Sequence, residues 1–249
     1  MAVAVDAAGT NASVIFNGVT SFSVAAGAAP ISVGASATAL ALVISFNDNA
    51  TSSTFATAIS ATWNSVSMTQ VSNNTFGSGT TSAQGTIFGL VSPASGNQAV
   101  SCSWTTTMWG YWDLISFTGS STVSAAAAFI NATGAGVSSA GPASVTVTSN
   151  TGDYVLGVVA DTSQAWGTIS NTQLFANTAG GKGNGVSNYA AGAATVTLTA
   201  ALAATDVWSY AAIDITVPSG GAVGTFMVFS KQTLTVNVTE TISVRFPGH

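Results

Sequence analysis

Charge is the scarcest property of this 249-residue sequence: only 4% of its residues are charged, whereas about a quarter are charged in a typical soluble domain. The basic residues number three, Lys182, Lys231 and Arg245, against eight acidic ones. So few cations cannot neutralise a phosphate backbone or bind an anionic membrane surface. The composition therefore argues against nucleic acid and membranes as partners.

Histidine and cysteine occur once each, as His249 and Cys102. A single histidine in the final position argues against a Ser-His-Asp or Cys-His catalytic site. A single cysteine excludes an intrachain disulfide and a cysteine-based zinc site. We expect Cys102 to be a small buried hydrophobe rather than a nucleophile.

The acidic residues lie mostly where turns and strand ends place aspartate for structural reasons, as at Asp48, Asp153 and Asp161. Any two of them could meet in the fold as the carboxylate pair of a glycosidase. A calcium site on Asp48 or Asp161 lacks the spaced run of acidic ligands. The sequence therefore predicts a protein that is not an enzyme, with no catalytic residues, no cofactor and no metal site.

Long apolar runs are missing as well. The longest candidates, 39–44 and 125–130, fall far short of the roughly 18 to 20 residues that a membrane-spanning helix needs. The first cationic side chain is Lys182, so the N-terminus has no positively charged segment of a secretory signal. Because the mean hydropathy is +0.49 and the net charge only -5, the chain is expected to fold rather than to stay disordered.

What the sequence does contain is a two-residue alternation of large and small side chains. Leu40, Leu42 and Ile44 alternate with Ala41 and Val43, as in a strand covered on both faces. The same period recurs in Val100/Cys102/Trp104, Val145/Val147, Val196/Leu198 and Ile213/Ile215/Val217. Turn residues such as Asn17-Gly18 and Asn150-Thr151-Gly152-Asp153 separate these runs. The pattern predicts an all-β protein, an antiparallel, jelly-roll-like β-sandwich.

Two segments, about 31–119 and 143–217, repeat each other weakly. Trp63 is followed by Thr69-Gln70-Val71, and Trp166 is followed at the same offset by Thr172-Gln173-Leu174. Further on, Val100, Cys102, Ile115 and Phe117 correspond to Val196, Leu198, Ala211 and Ile213. We interpret residues 1–217 as one sandwich built from two pseudo-repeated halves.

After Pro218 the composition changes to a linker and a long alternating segment, so residues 218–249 are predicted to be a linker and a C-terminal β-arm. If extended, the alternating part would span on the order of 45 Å. Two interpretations stay open: a closing hairpin on the sandwich, or an assembly arm that adds to a sheet of a neighbouring subunit. Its apolar positions are Phe226, Val228, Phe229, Leu234, Val236, Val238, Ile242, Val244 and Phe246.

A dense aromatic run, Trp104, Trp109, Tyr111 and Trp112, also has two interpretations. On an exposed loop these rings could stack on sugar faces or anchor a partner. On strands they would belong to the core, and core packing is favoured in a chain whose other side chains are mostly small. The exposed interpretation makes these four residues a candidate ligand contact.

Four segments carry a further pattern: 62–69, 89–96, 116–119 and 149–159. They resemble a β-sandwich module of bacteriophage structural proteins and bacterial surface proteins. Members typically show a Trp-Asn-Gly hairpin, a Pro-Ala-Ser-Gly turn before a valine-rich strand, and a Gly-Asp-hydrophobic strand in the second half. The resemblance covers about residues 31–217, with Ser65 in place of the usual hairpin glycine. It implies the fold, supplies no catalytic residues, and implies function only by context.

Taken together, these features predict a non-enzymatic structural protein of a virus particle, a bacteriophage capsid decoration (cement) or appendage subunit. It would assemble through uncharged β surfaces and the C-terminal strand, since a low net charge does little to oppose self-association. The expected partners are copies of itself and other virion proteins such as the major capsid protein, and the expected location is the virion, assembled in the host cytoplasm. The alternative is a carbohydrate-binding or adhesin module, extracellular or at the cell surface, whose Trp/Tyr cluster binds surface glycans.

Overall fold

A computed structural model describes residues 2–7, 13–28, 32–49, 55–78, 81–177 and 184–218. The predicted assembly arm lies outside this set. No helix within the described ranges is long and apolar enough to cross a membrane. The elements of the first half are β1 (Ala4–Val5), β2 (Ser13–Val24), β3 (Ala39–Asn49), β4 (Ser60–Trp63), β5 (Val66–Ser67), β6 (Thr69–Ser78), β7 (Thr81–Val91) and β8 (Val100–Thr118). Those of the second half are α1 (Ala125–Ala128), β9 (Phe129–Ser139), β10 (Ala143–Thr148), β11 (Tyr154–Asp161), β12 (Trp166–Ile169), β13 (Thr172–Asn177), β14 (Gly185–Ala191), β15 (Thr195–Leu202) and β16 (Asp206–Ile215).

The described strands form three antiparallel sheets. The first has eight strands in the order β5-β4-β8-β3-β7-β6, with β1 and β2 also paired to β8. The second has five, in the order β13-β14-β11-β16-β9, and the third has three, β10-β15-β12. This architecture confirms the predicted all-β, antiparallel sandwich class.

The strand β3 shows why the sheets stack. Leu40, Leu42 and Ile44 pack into one apolar core, while Ala41 and Val43 pack into another on the opposite face. All five side chains are fully buried. The two-residue alternation therefore places a covered sheet between two cores, as the sequence predicted.

Three apolar cores separate the layers. The first core is enclosed by the eight-stranded sheet, which curls because the beginning of β8 pairs with β4 while its second part pairs with β3. The second core lies between this sheet and the five-stranded sheet. The third lies between the five-stranded and three-stranded sheets. The described strands thus form two packed halves, called here the first sandwich, around the first core, and the second sandwich, around the third core.

Strand pairing reveals the internal repeat. In the first half β3 pairs with β7 and β8, β6 pairs with β7, β4 pairs with the beginning of β8, and β2 pairs with β8 from Val100 to Asp113. In the second half β11 pairs with β14 and β16, β13 pairs with β14, and β10 and β12 both pair with β15. The long β8 corresponds to β15 and β16 together. The two halves share one topology, and each closes its own core.

The hairpin between β4 and β5 retains the turn that glycine would favour. Asn64 has a φ of 48° and Ser65 a φ of 64°, and positive φ at both central residues is what a two-residue type I′ turn requires. The preceding Trp63 is fully buried, and its Nε1 donates to the backbone oxygen of Ala94 at 2.9 Å. The tryptophan therefore ties this hairpin to the Pro-Ala-Ser-Gly turn.

Candidate functional site

The aromatic run lies on β8, and most of it faces the interior. Trp104 is 5% exposed, and Tyr111 and Trp112 are 0% exposed. Trp112 stacks on Phe22, with ring centroids 4.7 Å apart and an interplanar angle of 8°. The structure therefore corrects the exposed interpretation of these three residues, because β8 lies between two cores and alternation turns each ring into one of them.

Trp109 is the remaining member of the predicted ligand contact, and it is half-buried. Its ring lies against β2, where a β-carbon added at Gly18 would be 3.4 Å from Trp109 Cζ2. The four residues thus do not form one exposed stacking surface. Of the four predicted residues, Trp109 alone is partly exposed and could contact a ligand.

The acidic residues are mostly interior groups. Six of them are buried: Asp6, Asp113, Asp153, Asp161, Asp206 and Asp214. Several hold the chain together, since Asp6 Oδ2 accepts from the Gly34 amide at 2.7 Å and Asp153 Oδ1 accepts from the Val217 amide at 2.8 Å. Within the described ranges, no group of three or more His, Cys, Asp and Glu side chains could hold a metal ion.

Cys102 is 2% exposed on β8 and packs into the first core. Burial raises the pKa of its thiol to about 12. The thiolate, which is the nucleophilic form, is therefore absent at neutral pH. This environment agrees with the expectation of a structural cysteine.

The outer face of the first sandwich is covered with hydroxyl groups. Ser60 of β4 and Ser103 of β8 are cross-strand neighbours, with Oγ atoms 3.0 Å apart. Thr62 and Ser101 form the next such pair, at 2.7 Å. On the other side of β8, Ser21 and Ser23 of β2 lie in register with Ser103 and Ser101. Three adjacent strands thus present continuous rows of hydroxyls.

The outer face of the second sandwich repeats this arrangement. Thr146 of β10 and Thr197 of β15 are register partners, with Oγ1 atoms 3.0 Å apart. Thr148 lies opposite Thr195 in the same register, while Val145 and Leu198 point inward to the third core. The alternation of threonine with aliphatic residues therefore builds a hydroxyl face outside and an apolar face inside.

These two hydroxyl faces, one on each outer sheet, are the candidate functional site. The residues that build them are neutral. A hydroxyl both donates and accepts a hydrogen bond, so it can exchange a water molecule for a partner's polar group at small net cost. The faces are therefore suited to contact with another uncharged protein surface, without charge repulsion.

Comparison with known proteins identifies no relative: no protein family, no curated protein and no solved structure matches this chain. The resemblance to phage and bacterial surface modules stays a prediction. The function is therefore inferred from the geometry of this molecule.

Proposed function

We propose that this chain is a non-enzymatic structural protein of a virus particle, a bacteriophage capsid decoration or appendage subunit. The observation that carries the proposal is the pair of neutral hydroxyl faces on the two outer sheets. Two such faces on one chain provide two contact surfaces. A subunit with two contact surfaces can bridge neighbours in a shell or a fibre.

The proposed partners are copies of the chain and other virion proteins, such as the major capsid protein. A protein surface that carries backbone amides, carbonyls and hydroxyls suits both faces, because those groups can replace the water bound to serine and threonine. The C-terminal segment enters this proposal as a connector that adds a strand to a neighbouring sheet. Its placement lies outside the described residues.

Charge introduced on either face tests the proposal in the full-length protein. Ser103→Lys alters the first face and Thr197→Lys the second, while Val123→Lys adds the same charge to a side chain that is 83% exposed and belongs to neither face. In sedimentation velocity over a concentration series, the unaltered protein should form assemblies that the first two variants weaken. A monomer at every concentration, or equal weakening by Val123→Lys, would contradict the proposal.

Deletion of residues 219–249 tests the connector. Circular dichroism and thermal unfolding should show a folded sandwich that assembles less than the full chain. Full assembly of the shortened chain would remove the arm from the proposal. Electron microscopy of intact particles labelled with an antibody to this chain tests the virion location directly.

The alternative function, a carbohydrate-binding or adhesin module, keeps one supporting residue. Trp109 is the partly exposed ring of the four that were predicted to contact a ligand. Glycan-array binding that is lost in Trp109→Ala, with assembly unchanged, would favour this alternative over a structural subunit.

A further inference from the structure

Two buried carboxyl groups meet at the junction of β11 and β16. Asp161 is the last residue of β11 and Asp206 is the first of β16. The backbone amide of Gln164 donates to both, at 2.8 Å to Asp161 Oδ2 and at 3.0 Å to Asp206 Oδ2. Asp161 is 0% exposed and Asp206 is 9% exposed. The pair therefore shares one donor in a site that is almost closed to water.

The hydrogen-bond donors around this pair are distributed unequally. Asp206 Oδ1 accepts from the Thr162 hydroxyl and from the Val207 amide, and Asp206 Oδ2 accepts from the amide and hydroxyl of Ser163 as well as from Gln164. Asp161 Oδ2 accepts from the Gln164 amide, and among the described residues its Oδ1 has no hydrogen-bond partner. Donors stabilise the ionised form of a carboxyl group, so Asp206 is built to hold the negative charge and Asp161 is not.

A second unpartnered oxygen lies beside Asp161. The side chain of Asn184, just before β14, is 0% exposed and neighbours the Asp161 carboxyl. Its Nδ2 donates to the Gln164 carbonyl at 2.8 Å, and its Oδ1 has no hydrogen-bond partner within the described ranges. Buried acceptors without a donor carry a desolvation cost, which is largest for an ionised carboxylate, and a proton on Asp161 would remove that charge.

We propose that Asp161 is a neutral carboxylic acid in the folded protein, and that loss of this proton loosens the junction of β11, β14 and β16. Burial raises the pKa of Asp161 to about 8, and the hydrogen bond and charge of Asp206 act in the same direction, against the smaller lowering effects of the Gln164 amide and the Asn184 side chain. For Asp206, burial also acts upward, but the hydrogen bonds from Thr162, Ser163 and Val207 outweigh it and lower the pKa. The two carboxyls therefore divide into one acid and one anion.

The other described groups that form hydrogen bonds at this junction are neutral. Asn47 of β3 donates from Nδ2 to the Asp161 carbonyl at 3.1 Å, and Ser45 donates to the Asn184 carbonyl at 2.9 Å. Asp206 is the titratable group that contacts Asp161 from β16. Ionisation of Asp161 would place two anions around the single Gln164 amide, and their repulsion would open the turn at residues 161–164.

A proton fits this site better than a metal cation does. Calcium takes six to eight oxygen ligands, whereas both oxygens of Asp206 are already occupied by donors. The unpartnered oxygens here are Asp161 Oδ1 and Asn184 Oδ1. The proposed role is a pH-sensitive clamp on the second sandwich, active in the mildly alkaline range.

Infrared difference spectroscopy of the full-length protein tests the proposal. A protonated carboxyl band should be present at pH 7, disappear with a midpoint near pH 8, and be absent from Asp161→Asn. Asp214→Asn is the matched control, because Asp214 is another buried aspartate, whose pKa burial raises to about 6. This control should keep the band at pH 7. Absence of the band in the unaltered protein, or its persistence in Asp161→Asn, would overturn the proposal.

Asp206→Asn provides a second test that does not depend on the folding of Asp161→Asn. Because the hydrogen bond and charge of Asp206 raise the pKa of Asp161, the band should titrate at a lower pH in this variant; an unchanged midpoint would contradict the proposal. Thermal unfolding with calcium chloride and with a chelator tests whether a cation binds here instead of a proton. A calcium-dependent rise in the unfolding midpoint that Asp161→Asn abolishes would overturn the proposal in favour of a cation site.

Discussion

Gly89 of β7 lies directly against Phe129 of β9, so that a β-carbon at position 89 would be 2.6 Å from two carbons of the ring. Gly85 makes a similar approach on the same strand, since a β-carbon there would be 2.8 Å from the Val158 carbonyl oxygen. Between them, Ile87 is fully buried in the second core. The two sandwiches pack closely because these positions have no side chain.

The substitution Gly89→Ala should therefore weaken the contact between the sandwiches. The added methyl group overlaps the Phe129 ring, and overpacking of this kind costs about 1 to 3 kcal/mol. Urea unfolding measures the difference. Gly141→Ala is the control, because a β-carbon at 141 meets no atom within 4 Å. Equal midpoints for the two variants would show that the ring moves aside without cost.

Ser65→Gly should stabilise the protein. Ser65 is exposed and has a φ of 64°, a left-handed conformation that costs a residue with a β-carbon about 1 to 2 kcal/mol relative to glycine. Part of this gain is offset by the greater freedom of glycine in the unfolded chain, so a net gain of about 0.5 to 1 kcal/mol in the free energy of unfolding is expected. Ser67→Gly, on the adjacent exposed strand β5, should destabilise. A loss of stability in Ser65→Gly would contradict the assigned turn.

Cys102 should not react with a thiol reagent while the protein is folded. Its side chain is 2% exposed, and burial raises the pKa of the thiol to about 12. Colour development with a disulfide reagent should therefore follow unfolding, and its rate should rise with urea in parallel with the loss of the native circular dichroism signal. Rapid reaction in buffer would place the thiol at the surface.

The features that follow from local pattern could be predicted from the sequence. The alternation at Leu40, Leu42 and Ile44 predicts a strand covered on both sides, and the Trp63 and Trp166 offsets predict two related halves. Both are present, because strand period and turn chemistry depend on neighbouring residues.

The features that depend on long-range pairing could not be predicted. The direction in which Trp104 and Trp112 point depends on how β8 pairs with β2 and with β3 in the curled sheet. Asp161 and Asp206 meet because β11 pairs with β16, yet each alone looks like an ordinary aspartate at a strand end. Stacking of the two sandwiches likewise follows from the close approach of β7, which the alternation of apolar residues does not encode.

Between about pH 4 and about pH 8 the protein is expected to lose stability as the pH rises, whereas ordinary acid denaturation makes a protein more stable as the pH rises. Burial raises the pKa of Asp161 to about 8 and that of Asp214 to about 6, from ordinary values near 3.8. A carboxyl whose pKa is higher in the folded state binds its proton more tightly there, so its contribution is fully present below pH 4 and is lost as the pH rises through the folded value. The free energy of unfolding should therefore fall from about pH 4 to about pH 8, by at most about 1.4 kcal/mol per pH unit for each proton.

Urea unfolding at a series of pH values separates the two carboxyls. Between about pH 4 and pH 6 both carboxyls contribute, so Asp214→Asn should remove about half of that slope, and Asp161→Asn should remove the slope between about pH 6 and pH 8. In Asp161→Asn the amide can donate where the acid did, so this variant should be more stable than the unaltered protein at pH 8 and close to it at pH 5. Asp206→Asn should destabilise at all pH values above 4, because hydrogen bonds to an anion are lost. A stability that rises steadily from pH 4 to pH 8 would show that Asp161 is ionised in the folded protein.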